Sequence, residues 1–261
     1  MPMETVLSAD GTIIAYDRSG DGPVVIVSVG AFCTRHTFVP PAELTRRFTV
    51  ITYDRRGRGD SGDTAPFAPE REYEDLAAVA AATGTESPFV FGHSSGAAIA
   101  LRAAARGLPV AGIAAYEAPF TNDQTPSQGA DPAARIRELV AAGKERDAVI
   151  FWMTDVVHLP EQMTTGLQDA PWVAALEPLA RTLPYDIAVT AGGVPADELA
   201  KIAAPVLIIG GGNSPAWFRR SVAEQAAAVP GAREVTVDGY DHNAPPEVLT
   251  PILADFFSAG R

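Results

Sequence analysis

The stretch Val90-Phe91-Gly92-His93-Ser94-Ser95-Gly96-Ala97-Ala98-Ile99-Ala100-Leu101 restricts this chain more than any other. An apolar run with the character of a buried strand passes through a G-x-S-x-G turn into an apolar helix, with Ser94 at the apex. Small neighbours are needed there, because a Cβ at position 92 or 96 would meet the crossing backbone. The turn also aims the unsatisfied N–H groups of a helix N-terminus at whatever charge develops above Ser94. The competing reading is a glycine-rich strand-to-helix turn with no chemistry, since G-x-S-x-G by itself occurs in many unrelated proteins.

The flanking sequence repeats the same rhythm. Thr12 to Asp17 alternates as a strand, and Val24 to Val29 is apolar on both faces, as an interior parallel strand requires. A helix is expected near Phe38 to Arg47, strands over Phe48 to Tyr53 and Phe89 to Gly92, and a helix at Arg71 to Ala82. The helix after Ser94 should run to about Arg106, followed by a strand over Val110 to Tyr116. Strands and helices alternating in this way imply right-handed crossovers and an α/β fold with a mostly parallel sheet covered on both faces. From Thr121 to about Pro195 the pattern turns helical, with helices expected at Ile136 to Ala142, Glu145 to Val157 and Ala170 to Arg181. The α/β rhythm then returns with strands at Val206 to Gly210 and Arg233 to Asp238, and helices at Ala216 to Ala228 and Pro246 to Phe257. The expected organisation is a core over residues 1–120, an inserted helical cap over 121–195, and the rest of the core over 196–261.

Composition removes several classes. A net charge of −12 opposes binding to nucleic acid or to an anionic membrane, both of which it repels at long range. No apolar run reaches the roughly 20 residues of a membrane span. The single cysteine, Cys33, cannot form an internal disulfide or a cysteine-rich metal site. Met1 to Thr5 has neither the basic start nor the apolar core of a secretory signal, so a cytoplasmic location is expected. These features say little about a small-molecule substrate and leave the oligomeric state open.

The G-x-S-x-G turn, a second segment and a histidine together resemble the α/β-hydrolase family over essentially the whole chain. The second segment is Asp54-Arg55-Arg56-Gly57-Arg58-Gly59-Asp60-Ser61-Gly62, similar to the D-x-R-G-x-G-x-S run after that family's fourth strand. The third element is His242, placed after the last strand and before the last helix. The resemblance implies an α/β-hydrolase fold with a helical cap, Ser94 as nucleophile and His242 as its base, since a neutral hydroxyl needs an imidazole to take its proton. His93 is the variable residue of the turn, and His36 and His158 fall in a loop and in the helical insertion. Asp238 and Asp241 are read as loop carboxylates.

The family's usual acid is missing. A G-x-x-D arrangement is expected after Val206 to Ile209, but the chain reads Gly210-Gly211-Gly212-Asn213-Ser214-Pro215. Either the enzyme is crippled or the acid has moved. In some family members, certain haloalkane dehalogenases among them, the acid follows the sixth strand, and Glu117 stands at that point; the alternative is a glutamate that only caps the sheet or pairs with an arginine.

The resemblance also implies an oxyanion hole of two backbone N–H groups, one from Ser95 and one from Ala31 or Phe32, with Ala31 preferred. Arg55, Arg56 and Arg58 are expected to fix the loop beneath the site with Asp54 and Asp60 as partners. Cys33 and Arg35 are candidates to line the pocket. So are Phe32, Trp152 and Trp217, with Phe151, Met153, Trp172 and Tyr185 as further aromatic or apolar candidates of which one or two should face substrate. The function the resemblance implies is cofactor-independent hydrolysis of an ester, lactone or thioester through an acyl-enzyme on Ser94, with a small-molecule partner, no cofactor and no metal. Serine instead of aspartate at the turn argues against epoxide hydrolase or dehalogenase chemistry. Two alternatives stay open at this point: a lyase, isomerase or cyclase on the same fold, and a catalytically silent binding protein.

Overall fold

Strands that are apolar on both faces must be covered on both faces, and the chain meets that demand with one sheet between two layers of helices. The computed structural model describes residues 3–120, 131–159 and 161–259. Its strands are β1 (Glu4–Leu7), β2 (Ile13–Ser19), β3 (Val24–Ser28), β4 (Thr49–Tyr53), β5 (Phe89–His93), β6 (Gly112–Tyr116), β7 (Val206–Gly211) and β8 (Arg233–Val237). They lie in the order β1-β2-β4-β3-β5-β6-β7-β8, antiparallel from β1 to β4 and parallel from there on.

The helices are α1 (Ala42–Thr45), α2 (Pro69–Ala82), α3 (Ser95–Ala105), α4 (Pro132–Ala141), α5 (Glu145–Phe151), α6 (Glu161–Thr164), α7 (Leu183–Thr190), α8 (Ala196–Leu199), α9 (Ala216–Ala228) and α10 (Pro246–Ala259). Side-chain alternation divides each strand between two cores. Ile26, Val90, Ile113 and Ile208 join the cluster under α2, α3 and α9, whereas Val27, Phe91, Ala114 and Ile209 join the cluster under α10. This is why the sequence shows no polar face on these strands.

Between β6 and β7 the described chain is helical. Ile136, Leu139, Val149, Met153, Val173 and Leu183 form a third apolar cluster, against which Ala31 and Phe32 of the loop after β3 also pack. α4 is capped by Asp131, whose side chain accepts from the N–H of Ala133 at 2.9 Å and so satisfies one of the helix's free donors. The first residues of the expected insertion, 121–130, lie outside the described residues.

Three expected helices differ. The one over Phe38 to Arg47 contracts to α1, because Pro40 and Pro41 force extended backbone ahead of them. Ala170 to Arg181 forms two 3₁₀ segments, Pro171–Ala175 and Glu177–Thr182, each with proline in its first turn, where the missing N–H costs nothing. The expected helix over Glu145 to Val157 is α-helical only to Phe151 and continues as a π-turn over Trp152–Val156. β1 and α7 are additions to the sequence reading. Among the described residues no helix is long and apolar enough to cross a membrane.

Candidate active site

The carboxyl ends of β3, β5 and β6 meet at one point, as the switch region of an open parallel sheet requires. Ser94 follows β5 with φ 57° and ψ −131°, between the strand and α3. A Cβ on Gly92 would fall onto Ala97 Cα, and one on Gly96 onto the carbonyl oxygen of Ser28, so both glycines are imposed by the turn. Among the described residues four non-glycine residues have positive φ, and three of them surround this point: Phe32 after β3, Ser94 after β5 and Glu117 after β6. Left-handed backbone at a residue with a Cβ costs on the order of 1–3 kcal/mol and persists where the surroundings over-determine it.

Glu117 is wholly buried. Its Oε2 accepts a hydrogen bond from His242 Nδ1 at 2.8 Å, and its Oε1 accepts one from the backbone N–H of Gly211 at 2.8 Å. The second bond anchors the carboxylate on the glycine turn where the family's more common acid would stand. Asn213 itself is exposed and donates its backbone N–H to the carbonyl of Tyr240. With Nδ1 donating to Glu117, His242 presents Nε2 as a proton acceptor. His242 and Ser94 line the same cavity; among the described residues no hydrogen bond joins them, a contact that in such sites tightens on substrate binding.

The loop carrying His242 is held from two directions. The Tyr116 hydroxyl bonds the carbonyl of Asp241 and accepts from the N–H of Ala244, and His93 Nε2–H donates to the carbonyl of His242 at 2.9 Å. The His93 and His242 rings lie 4.6 Å apart, and Phe218 stacks on the His242 ring at 4.7 Å. Burial, with the neighbouring His242 charge adding to it, pushes His93 down to about 3, so it stays neutral beside its partner. Tyr116, His93 and Phe218 escaped the sequence reading as supports of this loop. Tyr116, immediately before Glu117, was the one with a positional signal.

The cavity measures about 230 Å³ and is lined by Ala31, Phe32, Trp152, Trp217, Phe218 and Val156 together with Ser94, Ser95, His93 and His242. The three expected pocket residues Phe32, Trp152 and Trp217 therefore meet at one place. Met153 instead packs inside the helical cluster, Trp172 is 53% exposed, and Tyr185 donates its hydroxyl to Asp63 at 2.9 Å. Cys33 also lines the cavity, where burial pushes its thiol up and away from the reactive thiolate. His36 and His158 take no part. Among the described residues the N–H groups of Ala31 and Ser95 make no hydrogen bond to a protein acceptor.

The arginine turn differs from expectation in its partners. Asp54 and Asp60 pair with Arg35, which also bonds Asp17 and so does not line the cavity. Arg55 instead forms a buried pair with Glu72 at 2.6 Å and with Asp186 at 2.8 Å, and Arg56 pairs with Asp75 and Asp10. Arg58 reaches Asp186 at 2.7 Å. Burial pushes Asp75 up to about 6 in spite of Arg56. Burial acts the same way on Asp186, but the guanidinium groups of Arg58 and Arg55 outweigh it and hold that carboxyl below its ordinary value. Asp186 lies in α7, 131 residues from Arg55 and 128 from Arg58 in the chain, so local spacing points to Asp54 and Asp60 instead.

A model of the alpha/beta hydrolase family matches residues 24–249. The chain belongs to that family. This α/β-fold hydrolase is 46% identical to an alpha/beta hydrolase from Sphaerobacter thermophilus DSM 20745, over 97% of this chain and 100% of that one, with a TM-score of 0.89. It is 37% identical over 107 residues to an N-formylmaleamate deformylase from Pseudomonas putida, a match that spans 40% of either protein. An esterase from Rhodococcus sp. ECU1013 shares the fold, with 20% identity, a TM-score of 0.70, and coverage of 100% of this chain and 98% of that one.

Proposed function

We propose that this α/β hydrolase is a cofactor-independent serine hydrolase that cleaves an ester, lactone or thioester of a small, uncharged organic molecule. The observation that carries the proposal is the 2.8 Å hydrogen bond from His242 Nδ1 to the buried Glu117 Oε2, in a histidine that shares a cavity with Ser94. Ser94 Oγ attacks the carbonyl carbon while its proton passes to His242 Nε2, and Glu117 holds the resulting imidazolium by charge. The carbonyl oxygen becomes an oxyanion between the N–H groups of Ser95 and Ala31. Collapse breaks the bond to the leaving group, which takes the proton from His242. Water then repeats the sequence on the acyl-enzyme and releases the acid.

The size and lining support the substrate class. A dry cavity of about 150 Å³ already accepts benzene, so the 230 Å³ here suits a single ring or a short branched acyl chain. No lysine or arginine lines it among the described residues, and a carboxylate placed there would lack a partner. Similarity to a protein named a deformylase agrees with hydrolysis at an acyl group. In this reading the expected insertion over 121–195 is the cap, of which the described residues Trp152, Val156, Asp186 and Thr190 line the cavity, and the small-molecule partner is the substrate.

Labelling with a fluorophosphonate probe, followed by peptide mapping, tests the proposal. Covalent modification of Ser94, lost in Ser94→Ala, with turnover of short neutral esters by the unmodified enzyme, is the expected result. A folded protein that neither labels nor turns over any ester in a panel of short and long acyl chains would exclude it, leaving the acid/base lyase reading or a binding role.

A further inference from the structure

The proposed reaction uses no group of Arg58, yet this side chain is 1% exposed and lies against the backbone that forms the oxyanion hole. Its Nη1 donates to the carbonyl oxygen of Gly30 at 2.6 Å and, more weakly, to that of Cys33 at 3.5 Å, and its Nη2 donates to Asp186 Oδ2 at 2.7 Å. The carbonyl of Gly30 and the N–H of Ala31 belong to one planar peptide unit. A charged donor on that oxygen therefore sets the direction of the N–H and, by polarising the amide, makes it a stronger donor. The other oxygen of Asp186 accepts from Ser95 Oγ at 2.6 Å and from Arg55 Nη1 at 2.8 Å. One carboxylate thus ties together the two cavity-lining residues whose N–H groups have no protein acceptor among the described residues, Ser95 directly and Ala31 through Arg58.

We propose that Arg58 is a positioning residue for the oxyanion hole, orienting and strengthening the Ala31 N–H through the Gly30 carbonyl, with Asp186 of α7 holding Arg58 in place. The assignment rests on the serine-hydrolase reading above. A purely architectural salt bridge would stabilise the fold without distinguishing a tetrahedral adduct from a ground-state substrate. A positioning residue acts where negative charge develops on oxygen, so its loss must fall on the transition state.

The experiment compares wild type, Arg58→Met and Arg58→Lys for kcat and KM on a p-nitrophenyl ester and for Ki of an alkyl boronic acid, which forms a tetrahedral adduct on Ser94. For Arg58→Met, kcat is expected to fall about ten- to a hundredfold, less than the roughly 10²–10³ lost when an oxyanion donor is deleted outright. The boronate Ki should rise by a similar factor while KM changes by less than about threefold. Arg58→Lys, which keeps the charge but not the two-pronged geometry, should fall between the two. Neither KM nor Ki depends on the fraction of chain that is folded, so partial misfolding cannot imitate this split. If the methionine variant yields no folded protein, the lysine variant carries the same comparison. A boronate Ki that stays within about threefold of wild type in the folded variants overturns the assignment of Arg58 alone. A wild-type enzyme that neither hydrolyses the ester nor binds the boronate overturns the serine-hydrolase reading and the assignment with it.

Discussion

Glu117 and His242, 125 residues apart in the chain, share a 2.8 Å hydrogen bond at the edge of the sheet. The glutamate leaves β6, two strands from the end of the sheet, and the histidine leaves β8; β7 lies between them. Gly211, at the end of β7, donates its N–H to the same carboxylate. A side chain longer than aspartate therefore spans from one strand to a loop beyond its neighbour and is braced on the strand it crosses.

The first prediction concerns this pair. Glu117→Gln retains the shape and an acceptor for Nδ1–H but removes the charge that, in the proposed mechanism, stabilises the imidazolium. Turnover of a neutral ester is expected to fall by roughly 10³–10⁴, with circular dichroism and melting temperature near those of wild type. Steady-state kinetics on the purified variant check it, and activity within tenfold of wild type would refute the role.

Gly30 is predicted to tolerate no side chain. A Cβ there would sit 2.6 Å from Ser94 Cβ and 3.0 Å from Ser94 Oγ. Gly30→Ala must therefore move either Ser94 or the loop that carries Ala31. A displacement of about 1 Å is enough to cost on the order of 10² in rate, and the overpacking should remove about 1–3 kcal/mol of stability. The rate of fluorophosphonate labelling reads the first effect and urea denaturation the second.

His93 makes stability depend on pH. Its folded pKa is pushed down to about 3 from an ordinary 6.5, chiefly by burial. Over that interval the unfolded chain binds a proton that the folded chain refuses, so stability is full above pH 6.5 and is lost as the pH falls. Between pH 6.5 and about 4.5 the contribution is about 2 kcal/mol. His93→Gln, which retains an N–H donor for the carbonyl of His242, should flatten that part of the profile relative to wild type. Parallel acid-side profiles from urea unfolding measure the difference, and superimposable slopes would contradict the prediction.

Substrate charge is the fourth. The lining residues include Asp186 and no arginine or lysine among the described residues. Replacing a methyl on the acyl chain by a carboxylate should lower kcat/KM at least tenfold, since a buried charge without a partner costs several kcal/mol. A matched pair of p-nitrophenyl esters decides it. Equal values would mean that the acyl group does not enter this cavity.

The sequence was most legible where a local rule is strict. The turn around Ser94 needs glycine on both sides, the parallel strands need apolar residues on both faces, and each leaves its mark on a handful of consecutive positions. It was least legible where spacing misleads. Proline, readable in every case, shortens α1 and divides the Ala170 to Arg181 stretch into two 3₁₀ segments, each with a proline in its first turn, and apolar periodicity does not report where a proline opens a new turn. Asp54 and Asp60 stand beside the arginines in the chain, yet Asp186, contributed by α7, is the carboxylate that meets Arg55 and Arg58.

By itself the sequence determined the α/β class and the strand–turn–helix at Ser94, because both rest on short-range backbone constraints, whereas Glu117 and His242 were singled out by the resemblance to the family. Only the tertiary structure decided which groups touch: that Glu117 bridges to His242 across β7, that His93 and Tyr116 hold the histidine loop, and that a helix between β6 and β7 supplies the carboxylate that pairs with Arg58 beneath the loop after β3. A buried charge takes its partner from whichever segment the fold brings within about 3 Å, and burial removes the water that would otherwise make that choice indifferent.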